Sequence, residues 1–526
     1  MSCRLFQLSY LLLAISFAVS QPLSADEARR AATWRSRRVI FNNDGDDSLH
    51  YEKWHQEDGL QPPETDGFLS VRINHCFGTG VESVFFCTHH WSPPNLKVND
   101  GGNPDPRIKQ GFDALDVVVR ECRRRNIEAI WSLRVNDIHD TYFPTLMPQW
   151  KKDYPHLLMG IPKDKNTYPV ADPRSVWTFA DFALPDVRDM IVTLVDETLT
   201  HHDVDGMELD FLRHPAHFKE TLIDKSATQE HMDMLTDMVG RVRKEVLAAS
   251  ERRGRPVLLS VRVLPTMRQN RHWGFDVERW VRDRYVDFIT VGGGYDPFTV
   301  PVKDIVEQGH QWGIPVYVCL SVSGFSDAVA RVPGSTVSSS VKCWRAAAAN
   351  AWQAGADGIM TFNLFPRFSG TRATNTARQV WNEIGDPDLL VRKNKIYCIE
   401  NVDELWAVGF MVRSVPRVGR LPVELRKGGT VECTMPVGDR VAASADQLKS
   451  LRLRVCVSVQ PANRESFAVT MNGTKLDAIP EKPQWLVADV PASAMAHGNN
   501  FIAVRYRDGE QESVQVIGME LLVAYN

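Results

Sequence analysis

Nine cysteines are thinly spread over 526 residues, and no two of them form a C-x-x-C pair. That spacing argues against a clustered zinc site. Net charge is also scarce, at -4 from 61 basic and 65 acidic side chains. So small a balance argues against a polyanion-binding surface spread over the molecule, and no nucleic-acid partner is expected. Past the first 20 residues no apolar run approaches the roughly 20 residues that a membrane-spanning helix needs. The glycines at 292 to 294 lack both the spacing and the lysine of a phosphate loop. Adjacent His89 and His90 would face opposite ways on a strand, which disfavours a metal site built from the two. Internal repeats and low-complexity tracts are missing as well. These patterns call for no cofactor and no metal.

What is present begins with a processing signal over residues 1–25. Arg4 gives a positive start, Leu8 to Val19 is an apolar stretch too short to span a bilayer, and Ala18-Val-Ser20 fits small-x-small cleavage. The mature chain should start near Gln21 or Asp26 and be exported, in the periplasm or outside the cell, with no membrane attachment after cleavage. Export permits disulfides among the eight cysteines that remain. Cys87, Cys319 and Cys456 nevertheless lie in apolar strand-like runs, where buried free thiols are expected.

A chain this long exceeds one ordinary core, so two domains are the natural count. Between residues 36 and 388, short β-branched runs alternate with helical stretches, the rhythm of βα units around a parallel sheet. Eight strands are predicted: Arg38–Asn42, Val81–Cys87, Glu128–Val135, Asp205–Phe211, Val257–Val263, Tyr285–Val291, Pro315–Ser321 and Gly358–Asn363. Helices are predicted over Arg107–Arg125, Pro185–Thr200, Gln229–Arg252, Phe275–Arg284, Pro301–Gln311 and Ser339–Ala354. The expected fold is α/β, a (β/α)8 TIM barrel. Strands one and two have no clear helix between them, and a long insertion from Asp140 to Asp181 should wall the site. From 391 to 526, short alternating runs separated by Gly, Asn, Pro and Asp predict a C-terminal antiparallel β-sandwich, with a hairpin turn at Met471–Thr474. The boundary falls near Asp386–Val391, read as an exposed linker.

The chemistry centres on strand four. Alternation sends Met207, Leu209 and Phe211 toward the helices and Glu208 and Asp210 together into the barrel. Active sites of such barrels lie at the C-terminal strand ends. There Arg134 of strand three and Arg262 of strand five are expected to bracket both carboxylates and keep them ionised. Asp210, one layer above Glu208, is the candidate for direct attack or charge stabilisation, with Glu208 as supporting charge. The proton donor should come from elsewhere, and Asp296, on the rim beyond strand six, is chosen for it. Asp44, Asn136, Asp137, His139, Arg213, Tyr295 and Asn363, with the two arginines, form the expected carbohydrate-binding set. A structural ion-pair network is the plain alternative for the Arg–carboxylate stripe. Three aspartates at 44, 46 and 47 could serve a calcium loop, though a turn suits them better.

Two stretches carry a family resemblance. ADFALPDVRD over 180–189, followed by DVDGMELD over 203–210, resembles the glycosyl-hydrolase-like barrel proteins related to glycoside hydrolase family 10, and GADGI over 355–359 is similar to the last strand of many such barrels. Strand four also resembles the D-G-x-x-x-D strand of α-amylase-type enzymes, whose last Asp is the nucleophile; the resemblance implies that role for Asp210. This chain departs in having Arg262 where that clan has a strand-five acid, and Leu212 where the chitinase signature ends in Glu. The resemblance covers the barrel alone and implies a glycoside hydrolase acting on a polysaccharide or oligosaccharide. The rivals are a non-catalytic carbohydrate-binding barrel and a metal-dependent hydrolase using Asp44, Asp46 and Asp210. Oligomeric state and glycan specificity are not legible.

Overall fold

A computed structural model describes residues 23–43, 73–88, 113–142, 144, 147–167, 173–223, 225–292, 300–321, 332–338, 340–364, 371–399 and 421–526. Eight parallel strands close into a barrel in sequence order: β1 (Val39–Asn43), β2 (Ser83–Cys87), β3 (Glu128–Arg134), β4 (Gly206–Asp210), β5 (Leu258–Val263), β6 (Phe288–Gly292), β7 (Val316–Ser321) and β8 (Gly358–Phe362), with β8 paired back to β1. The period of two divides their apolar side chains into separate cores. Phe41, Phe86, Trp131, Leu133, Met207, Leu209, Val261 and Ile289 join the outer core under the helices. Ile40, Phe85, Ile130, Leu258, Phe288, Tyr317, Cys319, Met360 and Phe362 fill the barrel itself. Gly206 is required where β4 starts, because a Cβ there would lie 2.7 Å from the Leu258 carbonyl oxygen and 2.9 Å from Ile130.

The long helices follow their sequence signals. Pro185–His201 begins with its proline in the first turn, where no N–H is needed, and Gln229–Arg253 is capped by the Thr228 hydroxyl. Thr371–Glu383 supplies the last barrel helix, after β8. Ahead of β1, the helix Ala25–Thr33 is capped by Ser24, and its Arg29 donates to the Val257 carbonyl at 2.9 Å and to Asp287 at 3.3 Å. The N-terminal end of the barrel is plugged by Arg37, which donates to both oxygens of Glu128 at 2.6 and 2.7 Å and lies over the Phe288 ring. No helix among the described residues is long and apolar enough to cross a membrane.

The C-terminal part forms two antiparallel sheets. One has the order β10 (Val423–Arg426), β18 (Ser513–Tyr525), β12 (Leu448–Val457), β16 (Trp485–Asp489) and β15 (Ile479–Glu481), with β9 (Lys395–Ile399) also on β18; the other runs β11 (Thr430–Val437), β17 (Gly498–Tyr506), β13 (Phe467–Met471) and β14 (Thr474–Leu476). Met471 pairs with Thr474 across a two-residue turn in which Asn472 and Gly473 have φ of 50° and 79°. Asn-Gly at those positions meets the left-handed demand of a hairpin turn. At the junction, Pro387–Leu390 is a short helix with Leu390 buried between exposed Leu389 and Val391. The sandwich is bound to the barrel by polar contacts: Glu520 accepts from Ser335 and Thr336 ahead of the helix Val341–Gln353, and the Gly438 N–H donates to Asn350 at 2.8 Å. All eight cysteines among the described residues are buried and free.

Candidate functional site

The C-terminal end of β4 is the centre of the polar mouth. Register places Asp210 beside Arg134 of β3 and Arg262 of β5, and Glu208 beside Ser132 and Ser260. Both carboxylates point inward, while Phe211 stacks outward on Trp280 at 5.1 Å. Arg262 grips Asp210 with two donors, Nε to Oδ1 at 3.0 Å and Nη2 to Oδ2. The backbone N–H groups of Leu212 and Arg213 add two bonds to Oδ1, each 3.0 Å. Four donors thus hold one carboxylate that is 1% exposed. The Phe362 ring covers the Arg262 guanidinium at 4.7 Å.

The expected bracket of two arginines is corrected. Arg134 turns to Asp137 on the loop beyond β3, with Nη1 to Oδ2 at 2.8 Å, so among the described residues a single guanidinium pairs with the two strand-four carboxylates. Glu208 lies one layer deeper, fully buried, with Oε1 accepting from Ser132 at 2.9 Å and 3.9 Å from Arg262 Nε. Burial, seconded by the Asp210 charge, pushes the Glu208 pKa up to about 7 against the pull of Arg262 and Ser132. One buried cation already matched by Asp210 does less to hold the second carboxyl ionised. Glu208 is therefore not a permanently ionised supporting charge.

Beyond β3 a second group assembles. His139 Nδ1 meets Asp137 Oδ1 at 2.6 Å, and His139 Nε2 meets Arg213 Nη2 at 3.1 Å. A guanidinium only donates, so Nε2 accepts and the ring proton sits on Nδ1, directed at Asp137. Against the penalty of burial, His139 and Arg134 hold Asp137 well below the ordinary carboxylate range. His214, after β4, stands edge-on to His139 with ring centroids 5.3 Å apart. Burial and the neighbouring cations keep it well below the usual histidine range, hence neutral. His214 was missed by the sequence reading because it lies past the strand, outside the alternation; the His-Pro pair closing the β4 motif was the available signal.

Other expected residues divide three ways. Arg213 and Asn363 sit at the mouth, the latter at the end of β8 with φ of 51°, and Arg213 lies 5.4 Å over the Phe362 ring. Asn136 and Arg262 are engaged by protein partners. Asn136 spends its amide on the backbone of Ala180 and Ala216, which clamps the β3 and β4 loops together, and Arg262 is taken up by Asp210. Asp44, Tyr295 and Asp296 lie outside the described residues, as does Asp46 of the metal-hydrolase rival. The insertion after β3 folds back onto this end: Lys151 donates to the Asp137 carbonyl at 2.8 Å and pairs with Asp140 at 2.9 Å.

Among curated proteins no sequence matches the chain. An α-amylase from Anoxybacillus aligns over 91% of this chain and 100% of its own at 11% identity, with a TM-score of 0.42. The α-L-fucosidase isoenzyme 2 of Paenibacillus thiaminolyticus aligns over 68% of this chain and 51% of its own at 13% identity, TM-score 0.43. For the PgaB (BpsB) glycoside hydrolase domain of Bordetella bronchiseptica the shares are 66% and 99%, at 10% identity and TM-score 0.43. Residues 91–245, the segment holding β3, β4, both carboxylates and the Asp137–His139–His214 group, match the family described as Glycosyl hydrolase-like 10, and β3 and β4 belong to the closed eight-stranded barrel.

Proposed function

We propose that the protein is an exported glycoside hydrolase that takes a polysaccharide or oligosaccharide across the C-terminal mouth of its barrel. One observation carries the reading: a carboxylate fixed by Arg262 and two backbone N–H groups stands at the end of β4, within the family-matched segment. A fixed negative charge suits the positive charge that grows on a sugar ring as its glycosidic bond breaks. Because both Asp210 oxygens are engaged, stabilisation fits this side chain better than attack on the anomeric carbon. Asp296 remains the proposed acid, with Arg213, His139 and Asn363 offering polar contacts to sugar hydroxyls.

The same engagement favours a second reading, a non-catalytic carbohydrate-binding barrel, since a carboxylate this enclosed also serves as a plain structural anchor. Incubating the purified full chain with a panel of glycans separates the two, with binding by calorimetry and product by reducing-end release. The hydrolase reading expects turnover that Asp210→Asn lowers by about 10³-fold or more while substrate binding persists. Binding without product favours the second reading. Near-normal turnover by folded Asp210→Asn overturns the role given to Asp210.

A further inference from the structure

We propose that Asp137, His139 and His214 bind one divalent transition-metal ion of the zinc class at the mouth of the barrel. One donor atom from each lies within 4.8 Å of the other two. Two imidazoles and a carboxylate form a nitrogen and oxygen set suited to such ions, and three protein ligands leave a fourth position for water or a substrate oxygen. The ligands stand on firm supports. Asp137 and His139 follow β3 directly, His214 follows β4, and the Asn136 amide ties the two loops together.

His214 supplies an independent sign. Its Nδ1 is shut off from solvent and has no hydrogen-bond partner among the described residues, an unfavourable situation for a buried polar atom. His217 also has an unpartnered nitrogen, but its ring is walled by Phe182, Phe211 and Phe275, and it joins no group of ligating side chains among the described residues. The His214 ring faces His139 and its Asp137 partner instead. Arg134 on Asp137 Oδ2 and the His139 backbone N–H on Oδ1, at 2.8 Å, fix that carboxylate as outer partners of a metal ligand do, with the second lone pair of Oδ1 offered to the ion. His139, with its side chain 26% exposed, gives a path from solvent. A second group, Asp113, Asp116 and His202, is accounted for as a helix cap: Asp113 accepts from the Asp116 N–H and from His202.

Arg213 gives the proposal a sign that a static ion-pair network lacks. The ion takes the place of the proton between His139 Nδ1 and Asp137 Oδ1, that proton moves to Nε2, and the Arg213 contact at Nε2 is lost. Arg213 therefore competes with the ion, and removing its charge should strengthen binding.

The test uses the full chain, stripped with chelator, and zinc chloride titrated by calorimetry, with cobalt as a spectroscopic probe. Expected are one equivalent bound, visible cobalt bands of a four-coordinate site, weakening by about 100-fold or more in His139→Gln and in His214→Ala, and tighter binding in Arg213→Gln. His139→Gln carries the test should His214→Ala fail to fold. Absence of stoichiometric zinc binding overturns the proposal, as does equal affinity in the parent and His139→Gln. An Arg213→Gln variant that is merely less stable and binds zinc no better also overturns it.

Discussion

Glu208→Gln tests the charge arithmetic of the barrel interior. The carboxyl is fully buried, one layer beneath an Arg262–Asp210 pair that is already neutral as a unit, and its pKa lies at about 7 against an ordinary 4.5. Below pH 4.5 the group is neutral in folded and unfolded chains and has no influence on pH dependence. Between 4.5 and about 7 the unfolded chain releases a proton that the folded protein keeps, so stability falls as pH rises. At 1.36 kcal/mol per pH unit the interval corresponds to about 3 kcal/mol, lost by the time pH passes 7. Glutamine copies the shape of the protonated acid and still accepts from Ser132, but it does not titrate. Urea denaturation of parent and variant at pH 4.5 and pH 8 should show the variant gaining most of that 3 kcal/mol relative to the parent at the higher pH. A protonated-carboxyl band in infrared pH-difference spectra should vanish in the variant. Parallel pH profiles would refute the reasoning and mean that Arg262 serves both carboxylates at once.

Glu520→Gln should loosen the barrel–sandwich contact, because this buried carboxylate accepts from Ser335 Oγ, from Thr336 N and Oγ1, and from Arg454 Nη1. Leaving Arg454 half-paired costs about 3 kcal/mol, and faster cleavage within 332–338 on limited proteolysis is the readout; an unchanged pattern would count against the contact. Export is proposed with cleavage after Ser20 and not after Ala25, since the later cut removes Ser24 and its cap on the helix Ala25–Thr33, worth about 1 kcal/mol. Intact-mass analysis of exported protein decides it, and a chain beginning at Met1 or Asp26 would refute the choice.

Most of the barrel was legible because alternation and punctuation are local properties. The eight strands fall within three residues of their predicted starts, and Met207, Leu209 and Phe211 lie outward as the pattern requires. The turn at Asn472-Gly473 was readable for the same reason: its backbone demands those two residues. Partner choice was not legible. Alternation told that Arg134 points inward but not that Asp137, three residues on, would capture it, nor that Asn136 would spend its amide on two backbone segments 44 and 80 residues away. The protonation of Glu208 depends on how many cations reach it, so an error of one arginine reversed the expectation.

Charge counting also joins the two groups at the mouth. Arg262 is matched by Asp210 and Arg134 by Asp137, while Arg213 rests its Nη2 on His139 over the Phe362 ring. The Arg213 backbone is held by Asp210 while its side chain contacts His139, so the strand-four carboxylate and the strand-three histidine meet in one residue. Asp210→Asn therefore disturbs more than a single charge: it frees Arg262 toward Glu208, 3.9 Å away, and loosens the turn that aims Arg213. A glycan carboxylate or a cluster of sugar hydroxyls entering the mouth would meet Arg213 early, and an ion at the histidines would displace it. Under the proposed function and the proposed ion site, the position of this one side chain would couple what the barrel binds to the state of the group beneath it.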